Sequence, residues 1–597
     1  MKDYFNIINK DFLDKISIKN DESSINIASI RYNNDKKLID EIINKKDYKY
    51  LNKKEINIIK NFNKSIREYN DELNLNFLKN EINNLLKLSN EDLILFCFKN
   101  KINGLFNIDI ITYNKIQYVY IIQGRNIISN INLYKDADFL VKYKKNIYDI
   151  LSIFIKIDEN NVDKILEHEL NLYNLRLTNV QRRDVLNGFH EFNFANNNNF
   201  VNINLKNILL SIFNDDIQKL YFDVNFPNEY YKYIDQNIND INFKYYILWC
   251  ILHGLSLLSF GTLYDKIFDL IKIIKGIKNK INTEKHIYNI NNYFIGHIIS
   301  KEFFINIDST IKQRIKEYIN NIKDAFKNRL TENNWMDNTT KKLALEKLEN
   351  IKTDIFESKL IDFNKIRELS NIYYDNILMI NDYVFKIKMQ KLKINEKIFH
   401  GNIYNINAFY DSTINYIIFP YGILKEPYYY NTDLNNTNNL NIIAYNYGAI
   451  GSVIGHEIIH GFDDQGRLFD KDGNLNNWWN KISEVKYLEL AEEIGNKYKE
   501  YDINSKLTMG ENIADIGGVR ISLSAFKLYL KKNNKELNEE LLKYFISGWA
   551  MIWRGKIRKE DALNRLLNDS HSPIKQRVNI PLNNLKELND KNYIEIW

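Results

Sequence analysis

Cysteine is nearly missing from this chain: Cys97 and Cys250 are the two it has in 597 residues. That scarcity excludes a disulfide-knit scaffold and points to a reducing compartment, so a cytoplasmic location is expected. Both lie in apolar runs, Leu93 to Phe98 and Ile247 to Ile251, which predicts buried thiols. Proline occurs only 5 times, while Asn, Ile, Lys and Tyr abound. This reads as coding bias, with Asn196 to Asn199 as loop padding. Charge of one sign is also lacking. Lys and Arg number 82 against 76 Asp and Glu, a net +6 too dilute to argue for nucleic acid or an anionic membrane surface. The first residues hold no apolar core of signal-peptide length before Asp11 and Lys15. The longest uncharged stretch, Tyr245 to Tyr264, could cross a bilayer by length. His253, Gly254, Ser256, Ser259, Gly261 and Thr262 dilute it, and no positive cluster flanks it, so a buried helix is predicted.

What is present is a large soluble protein, 45% apolar and 26% charged. It is too long for one ordinary domain. Up to about Gln390 one helical pattern follows another. Val162, Ile165, Leu166, Leu170 and Tyr173 keep helix spacing, and Leu343, Leu345 and Leu348 mark another helix capped by Asp337 or Asn338. Past Phe399 the texture changes. Ile406 to Tyr410 and Tyr416 to Phe419 read as strands flanking Asp411-Ser412-Thr413. Asp470 to Asn474 has a calcium-loop flavour but a misplaced glycine, so a turn is expected. His168-Glu169 has no second histidine in register, and His253 and His297 read as core histidines.

The central motif is His456-Glu457-Ile458-Ile459-His460. On a helix, residues four apart share a face, so both imidazoles can reach one metal ion. Glu457 is angled off that face, where it can take a proton from water. Ala449, Ile450, Val453, Ile454, Ile458 and Ile459 give the helix apolar faces, and Gly461 suits its end. Zinc catalysis needs a third protein ligand. A downstream histidine is excluded, because its position holds Gly466. Gly510-Glu511-Asn512-Ile513-Ala514-Asp515 offers the alternative, with Glu511 on the metal and Asp515 accepting the other ring proton of a ligating histidine.

These motifs resemble the neprilysin and endothelin-converting-enzyme family of zinc metallopeptidases. The resemblance runs through Val453 to Asp464, Gly466-Arg467, Asn477-Trp478-Trp479 and Gly510 to Gly518. It continues in Asn407 to Tyr410, Ile418 to Leu424, His571-Ser572-Pro573 with Arg577, and the closing Trp597. It implies one Zn²⁺ per chain held by His456, His460 and Glu511. Glu457, His571 and Asp515 would be the catalytic set, with His571 donating to the oxyanion. Asn407 and Ala408 would bind substrate backbone and Arg577 a substrate carbonyl. Ile423, Tyr428, Val453, Ile552 and Trp553 would line the specificity pocket, implying cleavage on the amino side of large apolar residues.

The implied fold is mainly α with a smaller α/β part, in two lobes: a helical lid over 1–390 and a thermolysin-like catalytic lobe over 391–597. The expected protein is a monomeric endopeptidase acting on oligopeptides, with no nucleic-acid or membrane partner. The alternative is a catalytically silent peptide binder, against which Glu457 argues, since a binder needs no general base. Compared with anchored, disulfide-rich members, the chain resembles the disulfide-free ones, with an abbreviated N-terminal region.

Overall fold

A computed structural model describes residues 1–102, 104–113, 116–184, 190–191, 201–213, 221–225, 228–304, 307–356, 360–393, 401–589, 591 and 593–597. The Asn196 to Asn199 stretch lies outside them. The architecture is mainly helical and two-lobed. Helix starts follow local chemistry. Asp337 accepts from Thr339 N (2.9 Å) and Thr340 N (3.1 Å), opening the helix Asn338–Glu349, while Asp158 closes a capping box on Glu159–Leu175.

The uncharged stretch is two helices rather than one. Ile241–Ser256 ends before Ser259, and Thr262–Lys275 starts where Asp71 accepts from Thr262 N at 3.2 Å. Trp249, Ile251 and Leu252 are buried, and among the described residues no helix is long and apolar enough to cross a membrane. Cys97 and Cys250 are buried and unbridged, burial pushing the Cys97 thiol up to about 12. His168 meets Tyr233 Oη at 2.9 Å, and Glu169 accepts from Tyr143 at 2.8 Å, so that pair is structural.

Among the described residues, strands form three small sheets. Ser24–Asn26 pairs antiparallel with Gly555–Ile557, tying the start of the chain to its last quarter. Phe106–Tyr113, Ile116–Gln123, Tyr221–Asn225 and His190–Glu191 make a four-stranded sheet inside the region read as helical throughout. The period-two alternation of Phe106, Ile108 and Ile110 carried that signal. The third sheet runs Lys352–Ile355, Tyr416–Phe419, Phe409–Asp411, with the first pair parallel and the second antiparallel. The predicted hairpin therefore forms, but its first strand begins at Phe409, leaving Asn407 and Ala408 just ahead of it. Asp470 to Asn474 is a turn: Asp470 accepts from Asp472 N (2.9 Å) and Asn474 N (3.0 Å), with Gly473 at φ +83°.

Packing crosses the proposed 390/391 division. Tyr373–Lys393 runs through it, Lys352–Ile355 pairs beyond it, and Ser309–Glu332 packs on the long helix Ser505–Lys532. The closing Trp597 is buried against Phe462 (ring centroids 5.7 Å), Tyr487 (5.7 Å) and Trp479 (6.4 Å), bracing the turn after the histidine motif.

Candidate metal centre

The motif helix Ser452–His460 follows Leu440–Asn446 and a π-helical turn, Tyr447–Gly451. It ends at His460 as expected, but Gly461 keeps right-handed angles (φ −66°) instead of a left-handed cap. What Gly461 supplies is space, since a Cβ there would lie 3.0 Å from Tyr410 Oη.

The motif helix crosses Ser505–Lys532 at glycine. A Cβ on Gly455 would stand 2.5 Å from Gly518 O, and one on Gly518 2.5 Å from His456 N. Backbone therefore packs on backbone, and this close crossing brings Glu511 to the two histidines. His456 Nε2 and His460 Nε2 lie 2.9 Å apart, and Glu511 Oε2 lies 3.3 Å from the first and 3.7 Å from the second. One ligand atom from each of the three falls within 4.8 Å of the others.

The donor set fits a divalent cation. Two ring nitrogens face each other, and the buried Glu511 Oε2 has no hydrogen-bond partner. Such an arrangement needs positive charge among its acceptors. Burial alone would lower the pKa of His456, but Asp515 and Glu511 outweigh it and raise it to about 10. For His460 too, Glu511 and Asp463 overcome burial and shift it upward. Glu511 is held well below the usual carboxylate range against its burial, chiefly by His460 and His456.

Each histidine is backed by a carboxylate. Asp515 Oδ1 stands 2.9 Å from His456 Nδ1 and accepts from Arg577 Nη2 at 2.8 Å while Oδ2 accepts from Nε at 2.8 Å. Asp463 Oδ2 takes the other side, 2.8 Å from His460 Nδ1, and its Oδ1 accepts from Gln465 N (2.9 Å) and Gly466 N (2.6 Å). The sequence reading gave Asp463 no role, though its three-residue offset from His460 on the first turn past the helix was the available signal. Glu457 is buried beside the histidines, burial raising its pKa.

His571 stands at the rim, its Nε2 3.2 Å from Glu511 Oε2 and its Nδ1 2.8 Å from Asp569 Oδ1. Ser572 fastens that loop by donating to Asn512 Oδ1 at 2.6 Å. Asp569 and Asn512 were not anticipated either. Arg577 lies against the Trp553 ring, its guanidinium carbon 3.8 Å from the centroid. Ile423, Val453 and Ile552 are buried and Tyr428 half-buried; Val453 sits one turn ahead of His456. Asn407 is exposed and Ala408 buried, leading into the edge strand Phe409–Asp411, which touches the motif helix.

The chain is similar to several known proteins. Models of peptidase family M13 match residues 1–357 and 407–594. Neprilysin-1 of Caenorhabditis elegans is 35% identical over 325 residues, 49% of this chain and 41% of that protein. The chain thus matches under half the length of that relative. The neutral endopeptidase of Lactococcus lactis subsp. cremoris is 28% identical over 483 residues, 76% of this chain and 72% of its own. The crystal structure of Mycobacterium tuberculosis zinc metalloprotease Zmp1 with an inhibitor shares the fold at a TM-score of 0.86 and 21% identity, covering 99% of this chain and 95% of that one.

Proposed function

The chain belongs to peptidase family M13, and from that premise we propose that it is a zinc-dependent endopeptidase cleaving oligopeptides on the amino side of large apolar residues. The observation that carries this reading is the meeting of His456, His460 and Glu511 Oε2 beside a buried Glu457. His456, His460 and Glu511 would hold the ion, which would act as a Lewis acid on the peptide carbonyl and make water more acidic. Glu457 takes a proton from the attacking water and returns it to the leaving amine. His571 Nε2–H donates to the oxygen where negative charge develops, its other nitrogen steadied by Asp569. Asn407 and the edge strand beyond it offer main-chain bonding to an extended peptide. Arg577 reaches a substrate carbonyl from its seat on Trp553, and Ile423, Tyr428, Val453, Ile552 and Trp553 form the side-chain pocket.

The lobe division at 390/391, a monomeric state and a reducing, cytoplasmic setting belong to the same proposal, the last supported by the buried, unbridged Cys97 and Cys250. The test is elemental analysis of the purified chain together with cleavage of quenched peptides. One zinc per chain, and cleavage before Phe or Leu that a chelator abolishes, are expected. Zinc without cleavage would instead identify a silent peptide binder.

A further inference from the structure

The two ligand histidines are backed alike, and the second relay ends in an arginine from far up the chain. On one side His456 leans on Asp515 and Asp515 on Arg577. On the other, His460 leans on Asp463, next to Asp464, whose Oδ1 accepts from Arg183 Nη2 at 2.8 Å. Arg183 closes the short helix Asn179–Arg183, in the N-terminal region, and its Nη1 also donates to Lys506 O at 2.9 Å. Arg183, Asp463 and Asp464 converge on Gly510, the residue before the third ligand. A Cβ there would lie 2.5 Å from Arg183 Nη2, 2.8 Å from Asp463 Oδ2 and 2.9 Å from Asp464 Oδ1. The Asp463 oxygen in that set is the one that meets His460 Nδ1.

From this convergence we infer that Arg183 is a positioning residue of the metal centre, fixing the Asp463–Asp464 pair and through it the ring of His460. Asp463 is buried and Asp464 nearly so, and adjacent carboxylates out of water repel unless a cation stands between them. Gln465 Nε2 also donates to Asp464 Oδ2 at 3.1 Å, but it is neutral and leaves the charge uncompensated. Without the guanidinium, Asp464 turns toward water or a proton is taken up. Either change disturbs the turn Asp463–Gly466 whose amides hold the Asp463 carboxylate. His460 then loses the acceptor that orients its Nε2 toward the other two ligands. The site is therefore completed by the N-terminal region, although its three ligands all come from the last third of the chain.

This inference rests on the zinc-site reading, and chelator competition on the full-length, zinc-loaded chain separates the two. Zinc retained against stepped concentrations of a chelator is measured by elemental analysis for wild type, Arg183→Gln, Arg183→Lys, Asp464→Asn and Arg183→Gln/Asp464→Asn. Arg183→Gln is expected to raise the apparent zinc dissociation constant about tenfold, at the lower end of the effect of lost outer-shell partners. Arg183→Lys should recover part of that loss. Arg183→Gln/Asp464→Asn should recover most of it, because the uncompensated carboxylate is gone; a merely structural role for Arg183 would give no such rescue. Arg183→Gln holding zinc as tightly as wild type, or a double variant whose loss equals the sum of its parts, would overturn the inference and leave the zinc site standing. Wild-type chain that takes up no zinc would overturn the zinc reading itself.

Discussion

Arg577 grips Asp515 through both Nε and Nη2 at 2.8 Å, and Asp515 in turn meets His456 Nδ1 at 2.9 Å. A residue proposed to bind substrate is thus also two steps from the metal. Arg577 is buried and lies on Trp553, so its removal empties a filled site and strips Asp515 of its counter-charge. Arg577→Ala is expected to raise KM and also to weaken zinc binding by about 10- to 100-fold, as lost outer-shell partners do. Arg577→Lys keeps the charge but not the fork, and should fall between the two. Peptide kinetics at saturating zinc, combined with chelator titration, separate the effects. Unchanged zinc affinity in Arg577→Ala would show that Asp515 holds His456 unaided.

Gly455 and Gly518 form the second test. Their backbones touch where the motif helix crosses the long helix, so an added methyl has nowhere to go but between them. Gly455→Ala and Gly518→Ala are each expected to cost about 1–3 kcal/mol by overpacking. The shift also moves Glu511 away from His456 and His460, so zinc content should fall further than in a variant equally destabilised elsewhere. Thermal melting with elemental analysis checks both. A Gly518→Ala chain with full zinc and wild-type melting would refute the close crossing.

Lys347 gives a pH dependence. It is buried, and its Nζ donates to Gly466 O at 2.7 Å and Phe469 O at 2.6 Å, clamping the turn after the histidine motif. Burial pushes its ammonium down to about 7, against the pull of Asp463 and Asp470. A neutral amine can still make both donations. The folded pKa is below the unfolded one, so the unfolded chain binds more protons between about pH 7 and 10.5. The stabilisation this group contributes is therefore full above the unfolded pKa and is lost as pH falls through 7. Lys347→Met should be destabilising at every pH, leaving two carbonyls without a donor. Its cost should grow by about 2 kcal/mol from pH 7 to pH 9, at up to about 1.4 kcal/mol per pH unit. Unfolding midpoints of both proteins at pH 7, 8 and 9 decide this; a cost independent of pH would mean that the buried amine keeps its proton.

The legible parts of the site were those set by helix periodicity. His456, Glu457 and His460 share one helix, and Glu511 and Asp515 another, so spacing alone assigned faces. The hairpin Phe409–Asp411 with Tyr416–Phe419 was equally local. What escaped depends on contacts between distant segments. Lys352–Ile355 pairs parallel to Tyr416–Phe419 across about sixty residues, and nothing in either strand announces its partner. Arg183 and Asp464 are 281 positions apart, and each alone reads as a surface charge. Gly455 and Gly518 were visible as residues, but their use as a crossing point appears only when both helices are placed. The four-stranded sheet was missed for another reason: its alternating pattern lay amid long helical stretches and was read with them.

The last prediction separates binding from chemistry. Glu457 is buried next to His456 on the motif helix and has no part in the group of atoms that meets within 4.8 Å, so it is placed to move protons and not to hold the ion. Glu457→Gln keeps the size of the side chain and removes its capacity to accept a proton. The variant should fold, take up one zinc and bind peptides as the wild type does, while kcat falls by roughly two to four orders of magnitude, the contribution of a positioned general base. KM should change little, because the amide still fills the same space. Glu511→Ala should fail in the opposite order: an outright ligand is gone, so zinc is lost first and activity with it. Elemental analysis, peptide binding monitored by calorimetry, and steady-state kinetics on both variants distinguish these patterns. A Glu457→Gln chain that cleaves peptides at near wild-type rates would remove Glu457 from the mechanism even with the zinc site intact, and the proton would then have to pass through another group, for which His571, at 3.2 Å from Glu511 Oε2, is the nearest candidate on the rim.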